Sequence, residues 1–391
     1  MMKQFATLLI AASLCAAAVP EASAGIKKFI KGNIAEKAAA VRESTGNEVS
    51  FLAQSAIDFA LEHKQALGSD KELDALAAAG VLAFPQDALL HLGYIEKQEI
   101  AQKFSELFSQ FTNETVRIAL LNKIVALKEV LPTENFIEHL EQFLQNGNIA
   151  AESNIAQTSI KTLGEIGTSK SFSVIYCCKR EKKWPQYNDE IDAALVSLAD
   201  KSLPHILAII HEGNVKDDIR PLFDLLTKSE KISASLKSEI AENVLSETIY
   251  IANNSSAVTR ETVSLQLDAL DSIIQNKWTR AAQSVLAFFE LAEREYRAGV
   301  MTGDEFVKVV SGAAAVAPVD ASSRLSSYLA ELNKQTETGS KVPEKVALAV
   351  IDALGEIGDK SSFDTLLYVT YVNYPDMVVA AARDALARLK W

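Results

Sequence analysis

Apolar positions recur along most of this chain at three- and four-residue steps, the period of one face of an α-helix. Between 99 and 111, Ile100, Phe104, Leu107, Phe108 and Phe111 fall on a single face. Near the C-terminus Val346, Ala349, Val350, Ala353 and Leu354 do the same. No stretch sustains the two-residue alternation of a half-buried strand, so the pattern predicts an all-α protein. Start signals agree: Ser69 with Glu72, and Thr302 with Glu305, have the spacing of capping boxes.

The helical segments are copies of one another. Ile-Lys-Thr-Leu-Gly-Glu-Ile-Gly at 160–167, followed by Ser171 and Phe172, returns as Ile-Asp-Ala-Leu-Gly-Glu-Ile-Gly at 351–358 with Ser362 and Phe363. Pro343 and Val346 lead into Asp352, Ala353 and Leu354; Pro375 and Val378 lead likewise into Asp384, Ala385 and Leu386. Weaker copies stand at Ala126 and Leu127, Ala194 and Leu195, Leu226, Ala269 and Leu270, and Ala314 and Ala315. Self-similarity at this period is the mark of a solenoid. Within one unit, Pro343 suits the first helical turn, where its missing N–H has no partner to lose. Gly355 and Gly358 are expected to end that helix. Asp359, Ser361 and Ser362 then cap a second helix carrying Phe363, Leu366, Leu367 and Val369. The unit is helix, tight turn, helix. Stretches 179–190, 253–259 and 333–342 read as inserts. No copy is traceable before 113, so 25–112 is read as a helical region that caps or extends a solenoid over 113–391. Trp391 is expected to close the C-terminal cap.

Pro343, Val346, Ala353, Leu354, Gly355, Ile357, Gly358 and Asp359, with Pro375, Val378, Ala381, Ala385 and Leu386, make this pattern resemble the HEAT repeat. The short form found in phycobilisome-lyase-type HEAT-like repeats, of armadillo-type architecture, is the nearest match. The resemblance implies an α-α superhelix of stacked antiparallel helix pairs, and a protein-binding role. One feature departs from it: the family often places arginine after the first valine, where this chain has Ala347 and Val379. Likeness of this kind informs fold far better than function.

Composition narrows the classes. Of 391 residues, 48% are apolar and 23% charged, which excludes general disorder. The formal charge of -12, spread along the chain, argues against nucleic-acid binding. Residues 1–24 read as a cleavable export signal: Lys3, an apolar run over 5–19, then Ala22, Ser23 and Ala24 before a cut at Gly25. That run is too short to span a bilayer. Leu14 before Cys15 is too large for a lipoprotein site. The expected location is therefore the periplasm or the exterior of a bacterial cell, where Asn113 and Asn254 in their acceptor patterns stay unmodified. Cys177 and Cys178 are adjacent and do not readily bridge; they read as small apolar residues at a helix end.

No phosphate loop, Gly-x-Ser-x-Gly elbow or His-Glu-x-x-His motif occurs. His63, His91, His139, His205 and His211 are scattered, and no catalytic, cofactor or metal site is expected. Two surfaces stand out instead. Lys179, Arg180, Lys182 and Lys183, with Trp184 and Tyr187, put charge and aromatic anchors in one loop suited to an acidic partner. The alternative is a loop whose Trp184 tucks against its own helices. Ile26, Phe29, Ile30 and Ile34 share a face opposite Lys27, Lys28 and Lys31, the design of a helix lying on an anionic membrane. The alternative there is a cap folded onto the first repeat. The expected function is an exported, non-catalytic scaffold or adaptor for a protein or peptide. A structural component of an envelope assembly ranks second, and an enzyme subunit related to lyase-type proteins third.

Overall fold

The computed structural model describes residues 23–148, 152–255 and 258–390. The signal features at Lys3, 5–19 and Ala22, and the terminal Trp391, lie outside the described residues. Among the described residues there are 21 α-helices and no strand; an isolated bridge joins Asp359 to Lys390. The chain divides into two compact units, one ending at Leu198 and the other starting at Ala199.

The first unit contains α1 (Ala24–Lys31), α2 (Ile34–Glu43), α3 (Glu48–Leu67), α4 (Lys71–Ala83), α5 (Asp87–Leu90), α6 (Tyr94–Gln110), α7 (Glu114–Leu127), α8 (Glu134–Asn146), α9 (Ser153–Ile166), α10 (Ser169–Arg180) and α11 (Asn188–Leu198). Helices α2, α4, α7, α9 and α11 stack side by side in one layer, while α3, α6, α8 and α10 form a second. Successive helices pack across the layers, α3 on α4, α6 on α7, α8 on α9 and α10 on α11. No pair can bury both faces alone, so each is completed by the pairs beside it. Leu52, Leu76, Phe104, Leu120, Phe136, Leu163 and Phe172 fill the space between layers and are inaccessible to solvent. Each such side chain contributes roughly 1.5–3 kcal/mol of hydrophobic stabilisation. Helices α2, α3, α4 and α6, before residue 112, join the same two layers as those after it.

The second unit contains α12 (Leu203–Glu212), α13 (Arg220–Lys228), α14 (Ala234–Asn254), α15 (Arg260–Gln275), α16 (Ala282–Arg297), α17 (Gly303–Val316), α18 (Pro318–Glu337), α19 (Glu344–Ile357), α20 (Phe363–Val369) and α21 (Asp376–Arg388). Here α15, α17, α19 and α21 make one layer. Helices α12, α14 and α16, then α18 and α20, make the other. Phe289, Phe306 and Tyr328 interlock α16, α17 and α18 edge to face and face to face.

Local signals were partly misassigned by sequence reasoning. Thr302 and Glu305 form the expected capping box. Asp70, however, caps α4 in place of Ser69: its carboxylate accepts from the amides of Glu72 and Leu73. Pro343 and Pro375 are N-caps, one position earlier than first-turn residues. Helix α18 runs on to Glu337, which removes half of the insert expected over 333–342. The largest correction concerns the paired glycines. Gly358 does end α19, at φ +71°, a left-handed conformation that a Cβ disfavours. Gly355 does not. It lies buried inside α19, where an added Cβ would stand 2.9 Å from the Cα of Ala385 on α21. Gly164 holds the equivalent place in α9, 3.1 Å from the Cα of Ala194 on α11. The first glycine of each pair is thus the point where the next helix of the layer comes closest.

Candidate binding groove

Charged side chains bridge neighbouring helices along most of the layer that contains α7, α9 and α11, and along its counterpart in the second unit. In the first unit Lys128 meets Glu165 at 2.8 Å and Lys161 meets Glu190 at 3.6 Å. In the second, Arg220 meets Asp268 at 2.6 Å, Lys308 meets Asp271 at 3.4 Å, Lys345 meets Asp304 at 2.5 Å and Arg388 meets Asp352 at 3.3 Å. Exposed pairs of this kind contribute only about 0–1 kcal/mol each. Their consequence is chemical: these cations already hold a carboxylate from a neighbouring helix. The arginine after the first valine, missing from the C-terminal repeats, is present once as Arg117 after Val116. It is buried, donating from Nε to the carbonyls of Phe108 and Phe111 and from Nη1 to Glu152 at 2.9 Å. The Phe108 and Phe143 rings lie against its guanidinium.

The same layer is different at α2, α4 and the start of α7. A groove of about 740 Å³ runs along α4. Ala75, Ala78, Ala79 and Ala83 floor it, with Val41, Val49 and Leu82 as apolar walls. Leu82 is 60% exposed. From Lys71 to Ala83 the groove extends about 18 Å at the α-helical rise. Arg42, Ser44, Lys71, Asn113 and Thr115 supply its polar rim. Asp74 also lines it but is engaged from behind by Lys64 at 3.6 Å, whose ammonium rests 4.2 Å from the centre of the Phe111 ring. Arg42 and Lys71 are exposed, and no ion pair reaches either among the described residues. On the far side Lys123 donates to the carbonyls of Leu82 at 2.9 Å and Phe84 at 2.8 Å. That closes the C-terminal end of α4, where helix carbonyls lack partners, and holds α7 beside it. Partial burial lowers the Lys123 pKa.

Sequence reasoning did not single out this groove. The available signal was that 75–84 contains no polar residue, so α4 has no solvent face of its own. The two surfaces it did single out are largely occupied. Trp184 is 0% exposed and donates from Nε1 to the carbonyl of Leu144 at 3.2 Å. Tyr187 shares a hydrogen bond with Ser153 at 2.7 Å, Lys179 pairs with Asp192, and Lys183 donates to the carbonyl of Gln145. Trp184, expected as an anchor for a partner, instead anchors its own loop to α8; Arg180 and Lys182 stay exposed. At the N-terminus Phe29 is buried against Val41, Leu52 and Ala79, and Ile26 and Ile34 pack on the same cluster. Lys28 pairs with Glu43 at 2.7 Å. The apolar face proposed for a membrane is therefore turned inward, leaving Lys27, Ile30 and Lys31 outside.

Other chemistry is sparse among the described residues. No cluster of His, Cys, Asp and Glu there could hold a metal ion, and no single helix is long and apolar enough to cross a membrane. His211 faces Glu247 at 2.8 Å, and His63 stacks on Phe59. Burial pushes the Cys178 thiol up to about 11.

Stacked antiparallel helix pairs in two layers define an α-solenoid. No protein-family model and no curated protein matches the chain. Among solved structures it is similar to the SYS-1/POP-1 complex, at 11% identity and a TM-score of 0.30, spanning 92% of this chain and 68% of the matched one. It is similar also to SYS-1 alone, at 10% identity and a TM-score of 0.29, spanning 89% and 65% respectively. Agreement that loose adds nothing to the helix packing, which carries the fold by itself.

Proposed function

We propose that this protein is an exported, non-catalytic scaffold of HEAT-like repeats that binds a protein or peptide partner through the groove along α4. The observation that carries the reading is a solvent-open groove along α4 in which Leu82 is exposed and no ion pair reaches Arg42 or Lys71 among the described residues. Along α7, α9 and α11 the exposed cations Lys128 and Lys161 instead hold carboxylates from a neighbouring helix. Open apolar surface with a few convergent polar groups is the usual form of a binding site. Its lining of alanine, valine and leucine presents no nucleophile beside a base, which favours binding over catalysis.

Export rests on the pattern of residues 1–24. Cleavage after Ala24 would remove Ser23, whose Oγ accepts from the amide of Ile26 at 3.2 Å. N-terminal sequencing of the cell-envelope fraction should find Gly25 first; intact Met1 in the cytoplasm would refute export. For the scaffold, a photo-crosslinking residue at Leu82 should capture one protein in cells, whereas the same residue at Asp271 should not. Absence of any protein adduct from Leu82 and from the exposed Tyr250 and Tyr371 of the second unit alike would rule the scaffold out.

A further inference from the structure

We infer that the groove takes an amphipathic helix of a partner protein, its apolar stripe flanked by carboxylates; this rests on the scaffold reading above. Shape is the first argument. Lys71, Ala75, Ala78 and Leu82 follow at four-, three- and four-residue steps, a straight stripe that matches the stripe of a second helix. Small side chains let two axes approach closely, as this fold itself does where Gly164 meets Ala194 and Gly355 meets Ala385.

Backbone chemistry is the second. An extended peptide would need partners for its own N–H and C=O groups. The groove offers only side chains on its rim, and the Asn113 carboxamide oxygen already accepts from the amide of Thr115 at 2.9 Å. A helix brings its backbone bonds already made, so an alanine floor suits it.

Charge is the third. Lys128, Lys161, Lys308, Lys345 and Arg388 each hold a carboxylate from an adjoining helix of their layer. Arg42 on α2 and Lys71 on α4 line the groove, and neither holds a carboxylate among the described residues although the two helices adjoin. The occupant that continues the pattern carries Asp or Glu beside its apolar stripe. Helix-in-groove recognition of this form is a common mode of peptide capture.

The test is a phage-displayed library of helix-forming peptides about twelve residues long, the length that spans about 18 Å, panned on the full chain. Enriched sequences should carry apolar residues at i, i+3 or i+4, and i+7, with Asp or Glu on the flanks. Fluorescence anisotropy with the best synthetic peptide should show affinity falling tenfold or more for the Arg42→Glu/Lys71→Glu double variant. A lysine-flanked twin of the peptide should regain binding to that variant. Both side chains are exposed and unpaired, so the variant should keep the wild-type circular dichroism and melting temperature. Enriched peptides without acidic flanks, or equal binding to the variant, overturn the inference while leaving a scaffold that binds elsewhere. Loss of a concentration-dependent dimer in the variant, seen by light scattering, overturns it in favour of a second copy of this chain. No enrichment, together with no adduct at Leu82, Tyr250 or Tyr371, removes both readings.

Discussion

The layer of α15, α17, α19 and α21 and the groove along α4 are built from the same kind of helix, yet they meet solvent differently. In the former, Gly355 receives Ala385 and cations receive carboxylates across each helix–helix seam. In the latter, Ala78 and Ala79 are buried but Ala75 and Ala83 stay partly exposed beside the open Leu82, and Arg42 and Lys71 have no ion-pair partner among the described residues. Small residues on a solenoid helix therefore mean close approach in both places. In the covered place the approaching helix is the chain's own; in the open place the proposed occupant is a helix of another molecule.

Substitutions that separate covered from uncovered surface test this, and the largest effect should come from the loop first read as a partner site. Trp184→Ala should destabilise the first unit by about 3–5 kcal/mol, the usual cost of emptying a buried aromatic site. A melting transition unchanged within a degree or so would show that the loop is not anchored as described. Next comes Glu295 on α16, whose two carboxylate oxygens are buried without hydrogen-bond partners; the residue is 4% exposed. Burial pushes its pKa from 4.5 up to about 7, against the opposing field of Arg294. The unfolded chain releases that proton near 4.5, so the destabilisation that Glu295 contributes is absent below that pH. Stability should decline between pH 4.5 and 7 and level off above, by roughly 3 kcal/mol in all. Glu295→Gln should flatten this decline in denaturant titrations across that range; an unaltered slope would place the titration elsewhere.

Gly355→Val should follow at about 1–3 kcal/mol, because the new side chain meets Ala385 and Arg388. Its counterpart in the groove, Ala75→Val, should change stability by less than about 0.5 kcal/mol yet weaken binding of the helical peptide. Equal destabilisation by the two would erase the distinction between the regions. The smallest effect belongs to the ladder itself. Lys308→Ala should cost about 0–1 kcal/mol, and less in high salt, as expected for exposed pairs. A larger loss would mean that the ladder holds the layer together rather than merely occupying its charges.

Much of this fold was legible because its signals are local. The step of Ile100, Phe104, Leu107 and Phe111 is a property of one helix, and all four are buried as that step requires. The Thr302–Glu305 capping box spans a single turn and forms as read. Gly355 was misread because its role depends on Ala385, on a different helix. Trp184 left two readings open for the same reason: a basic, aromatic loop can face solvent or its own helices until Leu144 is placed beneath it. Arg117 escaped notice because its importance comes from the carbonyls of Phe108 and Phe111, supplied by the end of the preceding helix.

By itself the amino-acid sequence determined that the chain is helical, that its helices come in pairs, and where most of them start and stop. Periodicity, caps and left-handed glycines act within a few residues, and short-range physics is written in consecutive letters. Only the tertiary structure decided which small residues are covered, which cations are paired and which aromatic side chains are buried. Those outcomes depend on neighbours some thirty or more residues away, brought together by stacking. The groove along α4 belongs wholly to that second category. Its alanines read like any core stripe, and only the packed structure shows that Ala78 and Ala79 are buried while Ala75 and Ala83 stay partly exposed beside Leu82.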